Sequence, residues 1–190
     1  MLSFPVEGMI SAMGIWYYVL VYGIGLIAMA LSVIAFQFKH RVTIILSSFL
    51  GQSCWVAHFF LQGDLTSAIA CALSAVMLAV FSRKEKWRWS THPITVVVFI
   101  VLITGFSMLS FAGWTDMFPL LAGVFAVIAN SRSDETSLRK FSFFWCLFWL
   151  LNSIFKMYPV AFANDLLCTV STVVALIRYR KKGAGEQEKN

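Results

Sequence analysis

Few side chains in this sequence are equipped for chemistry, and their spacing groups them. Asp165, preceded by Asn164, is a carboxylate set inside a long apolar run. Gln52, Trp55 and His58 follow one another at intervals of three, which puts an amide, an indole and an imidazole on one face of a helix. Trp149 and Asn152 repeat the last part of that pattern. An ionisable group placed in lipid costs about 2.5–3.5 kcal/mol, so it turns toward a bundle interior, a partner or water. Aromatic walls with amides and one carboxylate suit the holding of a polar, ring-shaped or amphipathic solute. The rings cover its apolar face while the polar groups set its orientation. A titratable imidazole opposite the carboxylate adds the means to couple a proton to solute movement. Plainer roles compete: Trp as an interface anchor, Asn and Gln as interhelical glue worth about 0.6 kcal/mol each, and Asp165 paired with Lys156 at the surface.

Bond-breaking chemistry lacks its usual signatures. No GxSxG, HExxH or phosphate-binding loop occurs, and His40, His58 and His92 are dispersed. Cys54, Cys71, Cys146 and Cys168 have neither CxxC spacing nor neighbouring His ligands. They read as small packing residues rather than as a disulfide framework or metal site. The sequence therefore predicts no enzyme, no metal and no cofactor.

The elements that position these residues follow from composition. Hydrophobic residues make up 59% of the 190 and charged residues 13%, against about 25% charged in a soluble domain. A bilayer core of about 30 Å takes roughly 20 apolar residues per helix. Such runs lie at about 15–38, 43–61, 65–82, 94–111, 116–131, 138–155 and 159–178. They are continuously apolar rather than alternating, which argues for an all-α membrane bundle of seven spans and against a barrel. Asp165 then lies six residues into the last span, roughly 9 Å along its axis.

Loop charge sets the orientation. Lys39, His40 and Arg41 follow the first span, Arg83, Lys84, Lys86 and Arg88 the third, Arg132, Arg139 and Lys140 the fifth, and Arg178, Arg180, Lys181 and Lys182 the seventh. The other loops carry Asp64 and Asp116, and only Lys156 breaks the alternation. Lys and Arg stay cytoplasmic during insertion, so the N-terminus is expected outside and the C-terminus inside. The start of the chain lacks the positive region of a cleaved signal peptide. The basic clusters suit anionic headgroups rather than nucleic acid.

Sliding the chain by 94 positions lays the first three spans on the last three without a gap. Trp55 then meets Trp149, Ser48-Phe49 meets Ser142-Phe143, and the basic exits Lys84 and Lys86 meet Arg178 and Arg180. The expected organisation is one membrane domain, 1–190: a first triplet at 15–88, a linker helix at 94–111, a second triplet at 116–182 and a disordered tail at 183–190. Both triplets begin outside and end inside, a parallel repeat of the kind found in transporters, with a site at the repeat interface.

The stretch Trp55-Val56-Ala57-His58-Phe59-Phe60-Leu61-Gln62-Gly63, the stretch Trp149 to Asn152 and the helix spacing resemble the YgjV-like bacterial inner membrane proteins, over about residues 20–182. That family in turn resembles the SWEET and PQ-loop transporters, which implies a parallel triple-helix repeat and the carriage of sugars or other small solutes. Those transporters place a Trp on the second helix of a repeat and an Asn about 15 residues later on the third. Trp149 and Asn164 match that spacing, whereas Trp55 is followed at that distance by Ala70. The Pro-Gln pair is absent, since Pro119 precedes Leu120. The expectation is an inner-membrane carrier working by alternating access, with Gln52, Trp55, His58, Trp149, Asn152, Asn164 and Asp165 lining its site. Its partners are the lipid bilayer and a small-molecule solute, and the bundle is free to assemble as a homo-oligomer. The rival expectation is a non-transporting scaffold or accessory subunit, packed without a cavity.

Overall fold

The computed structural model describes residues 6–35, 41–81, 92–132 and 135–187, and these are helical between short turns, with no strand among them. Eight α-helices follow in order: α1 Val6–Met13, α2 Ile15–Ala35, α3 Arg41–Leu61, α4 Leu65–Phe81, α5 Pro93–Leu109, α6 Met117–Ser131, α7 Glu135–Phe155 and α8 Pro159–Gln187. From α2 onward each begins within a few residues of an expected span. Ile15–Ile34 and Trp114–Ser131 are long and apolar enough to cross a membrane by length and composition, and Leu65–Phe81, Pro93–Leu109 and Pro159–Val174 are shorter apolar helices. Lys39, His40, Arg83, Lys84, Lys86 and Arg88 lie outside the described residues.

Two features depart from expectation. A separate helix, α1, precedes the first span and is divided from it at Gly14, which takes a φ of 53° that side chains rarely adopt. At the other end, the tail expected to be disordered from Gly183 continues α8 as far as Gln187. Extending a formed helix adds one hydrogen bond per residue fixed, which carries α8 through Gly183 and Gly185 despite their poor helix propensity.

The turns explain how the helices are delimited. α3 closes with Asp64 N–H on Phe59 O at 2.9 Å and Gly63 N–H on Phe60 O at 3.1 Å, and Gly63 takes φ 76°. This is a Schellman close, which satisfies carbonyls left open at a helix end. α7 closes in the same way, with Tyr158 N–H on Ser153 O at 3.0 Å, Met157 N–H on Ile154 O at 3.2 Å and Met157 at φ 56°. Asp64 then caps α4, its Oδ1 accepting from Ser67 N–H at 3.1 Å. Pro159 opens α8, where its missing N–H has no helical partner to lose.

α2 packs on α3, α3 on α4, α4 on α6, α6 on α7 and α7 on α8, and α8 returns to α2. α5 lies outside this circuit, against α4 and α6. It buries Phe99, Ile103 and Ser107, spaced by four, and exposes Ile94, Val97, Val101 and Leu109 on its other faces. A Cβ at Gly123 would meet Ile103 at 2.8 Å, so the α5–α6 approach needs glycine there. Meanwhile Ser47, His58, Ser67, Asn152, Ser153 and Asp165 are buried. These polar groups share the interior with an apolar core, while large apolar side chains cover much of the outside, which a soluble domain does not do.

Candidate functional site

One end of the bundle is tied together by charge. The turns after α3, before α6 and after α7 meet there, because Lys156 Nζ lies 2.8 Å from Asp64 Oδ2 and 2.6 Å from Asp116 Oδ1. All three side chains are largely buried. Asp116 also accepts backbone N–H groups of Ala112 at 2.8 Å and Gly113 at 3.2 Å, through the 3-10 turn Trp114–Asp116 that leads into α6. Asp64 accepts the Ser67 hydroxyl at 2.6 Å and the Tyr158 hydroxyl. Burial and the neighbouring Asp64 carboxylate push the Tyr158 phenol above its ordinary range, so it serves as a fixed donor.

A polar chain runs inward from this cluster. Ser67 spends its only proton on Asp64, so its oxygen can only accept from Asn152, whose Nδ2 lies 3.2 Å away. That contact joins α4 to α7 and fixes which way the amide faces. Asn152 Oδ1 is left with no hydrogen-bond partner among the described residues, although the side chain is 0% exposed.

Asp165 sits deeper, on α8. It accepts the Ser153 hydroxyl on Oδ2 in a short hydrogen bond and the Asn164 amide on Oδ1 at 3.2 Å. Its partners are neutral, and no cation among the described residues pairs with it. The alternative of an Asp165–Lys156 pair is therefore not what forms: Lys156 is committed to two nearer carboxylates in neighbouring turns. Trp149, Asn152 and Ser153 share one face of α7 by their spacing.

His58 lies at a different seam. Its Nδ1 is 2.9 Å from Val21 O on α2, and since a carbonyl only accepts, Nδ1 carries the proton. Nε2, an acceptor in the neutral ring, is buried and without a hydrogen-bond partner among the described residues. A Cβ at Gly25 would come within 2.8 Å of the imidazole and 3.1 Å of Val160 Cγ1, so glycine makes the socket where α2, α3 and α8 meet.

Of the residues anticipated for the site, Trp55 and Trp149 come together, with Phe59 between them. Phe59 stacks on Trp55 at a ring separation of 5.7 Å and on Trp149 at 5.6 Å. Tyr158 tilts against the same ring and His58 meets Trp55 edge-on. Asn164 joins Asp165. Asn152 goes instead to Ser67, and His58 to the α2 backbone, so these two residues serve different seams. Gln52 is half-buried on α3. Sequence reasoning did not anticipate Asp64, Asp116 and Lys156 as a cluster, nor Phe59, Ser67, Ser153 and Tyr158 as members of the site. One signal was present: Asp64 followed three residues later by Ser67 at a helix start is a capping pattern. A family model described as "bacterial inner membrane protein", Imp-YgjV, matches residues 19–183. No curated protein and no solved structure matches the chain.

Proposed function

Since the chain belongs to the Imp-YgjV family of bacterial inner membrane proteins, we propose that it is a multi-pass carrier of a small polar solute, built as three helices, a linker and three helices. The observation that carries this reading is the recurrence of backbone geometry at an interval of 94. Shifted by that amount, the limits of α3, Arg41 and Leu61, fall on Glu135 and Phe155, the limits of α7. The left-handed turn residues Gly63 and Met157 coincide, and so do their closing hydrogen bonds. Exchanging α2 with α6, α3 with α7 and α4 with α8 also turns the α2–α8 contact into α6–α4, so the circuit of contacts maps onto itself. Two like triplets around a polar interior are the architecture of carriers that rock one half against the other, and the likeness to SWEET and PQ-loop transporters belongs to this proposal. Lys and Arg distribution orients the Lys156 end outward. In this reading α5 is the linker, and the solute site lies between the triplets in the outer half, around Asp165, Asn164, Asn152 and Trp149. His58 and Asp165 attend separate seams.

A second reading, as a scaffold or accessory subunit, is favoured by one observation. Phe59 fills the space between Trp55 and Trp149 that a cavity would occupy. The test is a thermal-shift screen of purified protein against sugars, vitamins, nucleosides and amino acids, followed by uptake of any hit into proteoliposomes. A carrier is stabilised by its solute and loses most uptake, with its pH dependence, in Asp165→Asn. Unchanged uptake and pH profile in that variant remove Asp165 and proton coupling from the mechanism. A panel with no response turns the reading to the scaffold.

A further inference from the structure

Resting on that carrier reading, we infer that the solute is a cation bearing N–H donors, a protonated primary amine, rather than a sugar or an acid. Charge is the first reason. Asp64, Asp116 and Asp165 are buried at the interior or its mouth with Lys156 as the one ammonium among the described residues there, which leaves a formal charge of −1 at the cluster and −2 whenever Asp165 is ionised. Asp64 and Asp116 share that lysine, whereas Asp165 has only neutral donors.

The second reason is independent of charge and comes from proton placement. Ser67 must donate to Asp64, so Asn152 must donate to Ser67, and the amide is left with its oxygen unpartnered. Gln62 Oε1, beside the charged turn, is likewise an unpartnered acceptor. Asn152 Oδ1 at the proposed site and Gln62 Oε1 beside the charged turn therefore both ask for a donor. A carboxylate solute meets acceptors and negative charge throughout. A neutral polyol meets the acceptors but leaves Asp165 uncompensated. An alkylammonium answers both.

The experiment compares four probes on the purified full-length protein in detergent at constant ionic strength: ethanolamine, choline, glucose and glycolate. Ethanolamine is expected to give a saturable rise in Tm, and choline, which has the charge but no N–H, a smaller one. In Asp165→Asn the ethanolamine concentration for half-saturation is expected to rise at least about thirtyfold, as for truncation of a buried charge pair. The wild-type series alone reads the charge preference even if that variant folds poorly. Choline acting as strongly as ethanolamine overturns the donor requirement. A response to glucose or glycolate without one to ethanolamine overturns the amine and leaves the carrier standing. No response to any probe overturns the amine, and failure of the wider solute panel as well then brings down the carrier reading separately.

Discussion

Met157 occupies the left-handed backbone region at φ 56°, where the equivalent turn after α3 has Gly63 at 76°. A Cβ in that region costs on the order of 1–2 kcal/mol, and the Met157 side chain is 84% exposed, so little packing offsets the strain. Met157→Gly is expected to stabilise the protein by about 0.5–1 kcal/mol, glycine's greater freedom in the unfolded chain cancelling part of the relief. Unfolding in detergent measures it, and a loss of stability would mean that the Met157 side chain has a contact partner in the membrane setting. Residue-scale logic also fixes Asn152. Its orientation follows from proton bookkeeping through Ser67 to Asp64, and no feature of residues 149–152 read alone reveals it.

The charged turns belong to the scale of elements, because Lys156 joins the ends of three helix pairs. Lys156→Met strands two buried carboxylates, and the expected loss is about 3–5 kcal/mol, with Lys156→Arg retaining most of it. Equal stability of Lys156→Met and wild type in detergent unfolding would show the cluster to be open to solvent. Helix positions were legible in the sequence because long apolar runs between polar turns admit one backbone solution. The partners of Lys156 were not legible. Asp64, Asp116 and Lys156 read only as residues of one surface, and their pairing depends on how far the turns lean inward. Phe59 was equally hidden, since nothing local marks one phenylalanine among 18 as the ring between two tryptophans. α1 and the far end of α8 were missed because hydropathy registers span-length apolar runs, whereas a short helix or a continued one needs only backbone hydrogen bonds.

At the scale of the whole molecule, the apolar exterior of α2, α5 and α8 and the proposed orientation make a prediction about access. In a cysteine-free background in cells, Gly8→Cys is expected to react with a membrane-impermeant maleimide from outside, and Ala184→Cys only after permeabilisation. The reverse result would invert the bundle, and labelling of both from one side would require an even number of crossings. The ion cluster also orders events during synthesis. Asp116 precedes Lys156 by 40 positions, and Asp64 by 92. At about 5–20 residues per second, Asp64 is made roughly 5–20 s before the cation that lets it be buried. Until α7 has been made, both carboxylates must stay hydrated, and the helices that carry them cannot close at that end. The half of the bundle made first waits for the second, so a nascent chain arrested before Lys156 should display an open, wet face that the finished protein does not have.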